Sequence, residues 1–326
     1  MTARRTSNRH PSGPSRGHRD ECPCPIHASD GGRAMTLQRR RFLALSACAL
    51  VTPALAGARH RWQGVALGAD VTLTVRDGSP AAAQAFFAEA LRSLRAIERQ
   101  FSLFGGSDLR RLNALGRLAY PSHDMLAVLR LAEQVHEATN GAFDPTVQPL
   151  WQARRLGQDE RAAAALVGWE DVHLHPDKIL LARPGMALTL NGIAQGFAAD
   201  RLAEVAARHR LAEVLIDAGE LRALGTASWD TRIEGPDGHV VRDLTLRNRA
   251  LATSAAYGTR IGPLGNRAHI VGPAGEEPRW SLVSISADSA MLADALSTAA
   301  VLMTRPAIDK TLAAFPRARI EALIAA

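Results

Sequence analysis

The chain has 326 residues, 47% of them hydrophobic, enough to bury a core in one large domain or two small ones. Its net charge of +7 is confined to the start: residues 1–56 hold nine Arg against three acids, which leaves 30 basic residues facing 29 acidic ones in the rest. A body near +1 has no long-range field for polyanions, and this sets nucleic acid aside as a partner.

Residues 1–56 read as a leader. The 34 residues before Met35 are polar, patternless and rich in Pro, Gly and His, so Met35 is the expected start. From Arg39 the run RRRFLALSACALVTPALA places an arginine pair before a short apolar stretch and ends on Ala54-Leu55-Ala56, an A-x-A cleavage pattern. The pair Arg39-Arg40, followed by Arg41-Phe42-Leu43, resembles the twin-arginine signature that routes folded proteins out of the cytoplasm; an ordinary Sec signal is the alternative. The expected location is the periplasm. Leu45-Ser46-Ala47-Cys48 has the form of a lipidation box, so Cys48 is the one route to membrane attachment. All three cysteines (Cys22, Cys24, Cys48) precede Gly57, so a body of residues 57–326 has no disulfide, no thiolate chemistry and no Cys-ligated metal. No apolar stretch of membrane-spanning length follows the leader.

Along the body, Val65, Leu67, Val71, Leu73 and Val75 alternate between Gly64 and Arg76 and predict a half-buried strand. Ser79-Pro80 opens a helix whose apolar face is Phe87, Leu91, Leu94, Ile97 and Phe101. A second helix follows Ser122, carries Met125, Leu126, Leu129 and Val135, and stops at Asn140-Gly141. A loop region with Pro145 and Pro149 comes next, then short strands near 172–174 and 179–181, a helix over 197–208, a strand at 213–217 and several short strands through 270. The strand at 282–285 feeds a helix over 289–303. Strands and helices alternate without strict βαβ repetition, which predicts an α+β class with mixed or antiparallel sheets packed with helices.

Three stretches are too polar or too glycine-rich for packing alone to explain. In 288–298, Asp294 and Thr298 stand four apart on a helix with both oxygens on one side, an arrangement for a hard cation such as Mg²⁺; the plainer reading is a helix cap and a threonine bonded to a backbone carbonyl. In 188–201, the run Leu188-Thr-Leu-Asn-Gly-Ile-Ala-Gln-Gly196 leaves a strand and enters a helix whose free N–H groups suit an anion; the plainer reading is strand-to-helix punctuation. In 139–151, Thr139-Asn-Gly-Ala-Phe-Asp-Pro-Thr146 joins a tight turn to an aromatic ring and a carboxylate, or is a capped loop.

Taken in order with Phe101-Ser-Leu-Phe104, Ser107-Asp-Leu-Arg-Arg-Leu-Asn113, Ala252-Thr-Ser254, His269-Ile270 and Ala293-Asp-Ala-Leu-Ser-Thr298, these stretches resemble the FAD:protein FMN transferases from about Gly64 to Met303. The resemblance implies a flavin-transferase, T-fold-like architecture. It also implies a reaction that cleaves the pyrophosphate of FAD, moves FMN onto a threonine hydroxyl of an acceptor flavoprotein and releases AMP. By matching positions, Asp294, Thr298 and the Gly192 carbonyl hold Mg²⁺; Phe104, Ala142, Phe143, Asp144, Thr189, Gln195, His269 and Ile270 contact FAD; and His269 is the general acid/base. Phe104 replaces the family's usual tyrosine, Leu67-Gly68 its Met-Gly, Thr189 its Asp, Gln195 its Lys, Glu220 the Asp of Gly-Gly-Asp, Ala255-Ala256 the Gly-Asp of Ser-Gly-Asp-Tyr, and Gly272-Pro273 its Asp-Pro. The changes at 189 and 195 together are charge-balanced. They leave either neutral hydrogen bonds to the flavin or a carrier that no longer turns over, such as an accessory protein for respiratory-complex maturation. Mg²⁺-dependent hydrolysis of FAD, with water as acceptor, is the third reading.

Overall fold

The computed structural model describes residues 59–326 and the backbone of Cys48–Leu50. The start, twin-arginine, lipidation and cleavage readings fall on the leader and lie outside the described residues, apart from the backbone of Cys48–Leu50, which pairs antiparallel with Trp229–Glu234.

The class is α+β. Seven strands form one sheet in the order Arg319–Ala325, Trp280–Ala287, Ala250–Ala255, Leu221–Ala223, Glu213–Asp217, Ala69–Arg76, Arg59–Ala66. Every neighbouring pair is antiparallel. Its middle is buried on both faces. On one side lie Val214, Ile216, Ala250, Ala252 and Val283, in the same core as the helices. Leu215, Leu221, Leu251 and Leu282 point the other way, against Trp229, Ile233 and Leu246 of a smaller sheet built on Trp229–Glu234 and Val240–Leu246. Strand Ala250–Ala255 is buried at all six positions and is made of Ala, Leu, Thr and Ser. Small side chains there let the alanine-rich helix Ala290–Ala300 close onto the sheet. No described helix is long and apolar enough to cross a membrane.

Helix Pro80–Phe101 begins where expected, with the Ser79 hydroxyl accepting from Ala82 N–H and Pro80 in the first turn. Its buried face is Ala83, Phe86, Ala90, Leu94, Ile97 and Phe101, whereas Leu91 is 37% exposed and Phe87 is partly buried at the rim. Adjacent residues cannot share a helix face, and the inward seat goes to Phe86 and Ala90 because they continue the line through Leu94. The helix His123–Ala138 is capped by Ser122 and followed by Asn140 and Gly141 at φ +51° and +84°, as its stop signal requires. Four elements differ from expectation. The single strand expected between Gly64 and Arg76 is a hairpin, Arg59–Ala66 and Ala69–Arg76 joined by Leu67-Gly68 at φ +52° and +77°, and the turn breaks the alternation so that Val65 is 53% exposed. The prolines at 145 and 149 open a short 3₁₀ turn and the helix Gln148–Leu156 instead of a loop, both being tolerated in a first turn. The helix expected at 197–208 starts at Ala194, and the one expected at 289–303 ends at Ala300. The segment before Asn191, expected to be a strand, joins no sheet. The Asn113 side chain brackets Leu188 instead, donating to its carbonyl and accepting from its N–H, both at 2.8 Å.

Candidate active site

Two helices, Ala194–Arg208 and Ala290–Ala300, cap each other. Asp200 accepts from Ala290 N–H (2.9 Å), Met291 N–H (3.0 Å) and the Ser289 hydroxyl (2.7 Å), satisfying the start of the second helix. Asp294 returns the favour: its Oδ2 accepts from Gly196 N–H at 3.0 Å, at the start of the first helix, where Ile193 offers no side-chain cap. The crossing is close because residue 196 is glycine. A Cβ there would lie 2.3 Å from the Ala290 carbonyl oxygen and 2.6 Å from Met291 Cα, both backbone atoms that cannot swing away. We therefore expect Gly196→Ala to destabilise the protein by about 1–3 kcal/mol and to separate Asp294 from its partner, read as a lower denaturation midpoint together with weaker Mg²⁺ stabilisation; an unchanged midpoint would contradict the packing account.

The reciprocal cap explains what Asp294 is left to do. It is 3% exposed, one oxygen is spent on Gly196, and burial pushes its carboxyl up to about 7. A buried carboxylate short of partners calls for a cation. One turn on, the Thr298 hydroxyl is 3.3 Å from Ser254 Oγ and packs on the backbone of Gly192, where a Cβ would fall 2.8 Å from Thr298 Oγ1. Asp294, Thr298 and Gly192 line the same cavity, and a carboxylate beside a hydroxyl is oxygen chemistry of the kind a hard cation such as Mg²⁺ accepts. Among the described residues no cluster of three His, Cys, Asp or Glu offers a competing metal site.

These three residues line one cavity with most of the residues expected to hold FAD. Ala142, Phe143 and Asp144 form one wall, Thr189 and Gln195 a second, and His269 and Ile270 a third. The Phe143 wall is held from behind by the His136 ring, 2.9 Å from the Phe143 carbonyl, and by Asp144 Oδ1, which accepts from the Thr146 N–H and hydroxyl at 2.8 and 2.6 Å. Burial raises the Asp144 carboxyl above its usual range, and the hydrogen bonds from Thr146 oppose that shift. Gln195 is 4% exposed and its Nε2 has no hydrogen-bond partner. A buried amide donor without a partner is costly, so this one suits a ligand acceptor. Phe104 stands apart. It is 58% exposed in an adjoining groove that shares Trp151, Asn191 and Gln195 with the cavity.

His269 sits on a segment that turns back on itself between Ala250–Ala255 and Trp280–Ala287. Its Nδ1 is 3.0 Å from two carbonyl oxygens, Ala256 and Thr259. Carbonyls only accept, so Nδ1 carries the proton and Nε2 is left with a lone pair. Burial lowers the ring's pKa below 6.5, outweighing the two carbonyls, so the imidazole is neutral at pH 7. A neutral ring with a free Nε2 on the cavity is equipped to take a proton.

The ApbE family model matches residues 67–324. The chain belongs to the ApbE family. Among its curated relatives, a FAD:protein FMN transferase of Treponema pallidum is 29% identical, the match covering 61% of this chain and 67% of that protein. One of Haemophilus influenzae is 28% identical, covering 59% and 64%. The chain thus spans about two-thirds of the length of these relatives. Of solved structures, the flavin transferase ApbE from Vibrio cholerae superposes with a TM-score of 0.72 at 23% identity, covering 81% of this chain and 94% of that one. The ApbE protein of Thermotoga maritima gives 0.72 at 24%, covering 82% and 97%. These likenesses show the flavin-transferase fold.

Within this ApbE-family chain the cavity also takes residues that sequence reasoning left without a role. Glu220 is 4% exposed and its Oε2 accepts from Thr253 N–H at 3.1 Å. Ser254 bonds Ser297 Oγ at 2.8 Å and reaches Thr298. Trp151 lies on the helix that was read as a loop. The one available signal was Asp200, an acid closing a glycine-rich run, whose partner helix starts 90 residues later and is invisible to local periodicity.

Proposed function

We propose that this chain is a FAD:protein FMN transferase that uses Mg²⁺ to move FMN from FAD onto a threonine hydroxyl of a second protein, releasing AMP. The observation that carries this reading is the meeting, on one cavity, of an all-oxygen cation set, a histidine with a free Nε2 and an orphaned buried amide, drawn from segments that span residues 189–298. Asp294, Thr298 and the Gly192 carbonyl would hold Mg²⁺, which would supply charge neutralisation at the pyrophosphate. Ala142 and Phe143 offer apolar surface to the flavin ring, Gln195 Nε2 a donor to one of its acceptors, and Phe104 an exposed ring at the cavity's approach. The threonine oxygen bonds to the FMN-side phosphorus as the bond from that phosphorus to the bridging oxygen breaks. AMP departs with the bridging oxygen, and His269 Nε2 takes the hydroxyl proton.

Residues 57–326 form the catalytic domain in this reading. The twin-arginine pattern at Arg39-Arg40 makes the periplasm its setting and a periplasmic flavoprotein its acceptor, with Cys48 as the one route to membrane attachment.

The test is incubation of the protein with FAD, Mg²⁺ and a threonine-bearing flavoprotein domain, following acceptor mass and AMP. A gain of one FMN per acceptor with equal AMP is expected. AMP without labelling would point to water as the acceptor. Bound FAD with neither product would overturn the transferase in favour of a carrier.

A further inference from the structure

The segment carrying His269 is docked against helix Gln148–Leu156 by four charges that the catalytic reading does not use. Arg154, on helix Gln148–Leu156, is 2% exposed. Its Nε and Nη2 donate to Glu160 Oε2 at 3.0 and 2.8 Å, and Nη2 also donates to the Gly275 carbonyl at 3.1 Å. Its Nη1 makes no hydrogen bond and stands 3.4 Å from Glu277 Oε1. Arg267 closes the ring, with Nη2 2.8 Å from Glu277 Oε1 and Nη1 3.4 Å from Glu160 Oε1. Arg154 and Glu160 therefore belong to one side, and Arg267, Gly275 and Glu277, flanking His269, to the other. Pro263 adds a packing contact, its Cγ lying 2.6 Å from where a Cβ on Gly157 would be, at the C-cap of the same helix.

A guanidinium cannot shed its proton, and burying one is costly unless it is paired, so this cluster holds the two sides together or leaves a charge stranded. Its position relative to the site matters. Trp151, one turn before Arg154, lines the cavity that His269 faces. Both carbonyls that orient the His269 ring belong to its own segment, so they fix the tautomer but not the ring's distance from Trp151. That distance depends on how the segment docks.

We propose that Arg154 is a positioning residue that sets the distance between His269 and Trp151 by latching residues 267–277 to helix Gln148–Leu156. The proposal rests on the transferase reading for its kinetic consequence and on the latch alone for its structural one. A displacement of the base by a fraction of an ångström to an ångström lowers the rate by about 10- to 100-fold, while the lining residues outside 267–277, Ala142, Phe143, Asp144, Thr189 and Gln195 among them, stay in place.

The experiment uses the full chain carrying Arg154→Gln, Arg154→Lys or Arg267→Ala, each also made in a His269→Ala background. Arg154→Gln is expected to lower kcat by about 10- to 100-fold with KM for FAD nearly unchanged, Arg154→Lys to recover part of it, and Arg267→Ala, whose side chain is 40% exposed, to fold normally and give a smaller loss of the same kind. In the His269→Ala background Arg154→Gln should cost nothing further, because the residue it positions is gone. An equal loss in both backgrounds, or a rise in KM at constant kcat, would overturn the proposal. Hydrogen exchange tests the latch without any turnover: exchange over 256–279 should quicken in Arg154→Gln and Arg267→Ala. Unchanged exchange there sinks the latch, whereas quickened exchange in a protein whose wild type does not cleave FAD would mean that the transferase reading is what failed.

Discussion

Asp294→Asn will reduce FAD cleavage by about 10³-fold or more while leaving the protein folded. The asparagine oxygen can still accept from Gly196 N–H, so the cap between the two helices survives. What is lost is the negative charge beside Thr298 and Gly192. The same variant has a thermodynamic signature. Burial raises the Asp294 carboxyl from 3.8 to about 7, so in the metal-free protein the folded state holds this proton more tightly than the unfolded chain does. Its contribution is therefore most favourable below about pH 4 and is lost as pH rises through about 7. The metal-free wild type should lose melting temperature across that window, and Asp294→Asn should flatten the dependence. Saturating Mg²⁺ reverses the order: at 100 times its dissociation constant it adds about 2.7 kcal/mol to the wild type and little to the variant. Equal Mg²⁺ stabilisation of both proteins, or undiminished turnover, would remove Asp294 from the metal set.

His269→Ala should slow transfer by about 10²- to 10⁴-fold with FAD affinity retained. The pH profile separates a base from a mere contact. Burial lowers the ring's pKa below 6.5, so the working neutral form is already complete at neutral pH. The wild-type kcat/KM should be flat above pH 6.5 and fall on the acid side at a pH below the ordinary imidazole value. The residual rate of the alanine variant should lack that acid limb. A variant that keeps the full rate, or keeps the limb, would show that another group takes the proton.

Much of the site was legible before any coordinates, for a physical reason. The meeting of Asp294 and Thr298 on one cavity is written in a four-residue helical spacing, and a close backbone approach is written in glycines at 192 and 196. What local patterns do not encode is which distant chain a polar atom serves. The plainer reading of Asp294 was a helix cap. It is one, but for the helix starting at Ala194, not for its own. Likewise the run before Asn191 has the alternation of a strand, yet it joins no sheet and its hydrogen bonds go to the Asn113 side chain and the Pro145 carbonyl. Phe86 and Phe87 are neighbours, and it is the buried line through Ala90 and Leu94 that gives Phe86 the inward seat. The Arg154 cluster left no local trace, since its charges lie far apart in sequence and look like ordinary solvated residues.

The order of the strands has a consequence for how activity appears during folding. Ala69–Arg76 finds its partner in Glu213–Asp217, with Thr72 opposite Asp217, a loop of some 145 residues closed by a single ladder. Loops of that size close late and slowly, because chain entropy must be lost before the ladder rewards it. The walls of the cavity come from within that loop and from beyond it. Recovery of FAD cleavage after denaturation should thus lag the return of helical signal and coincide with this pairing, which makes catalysis a reporter of chain closure.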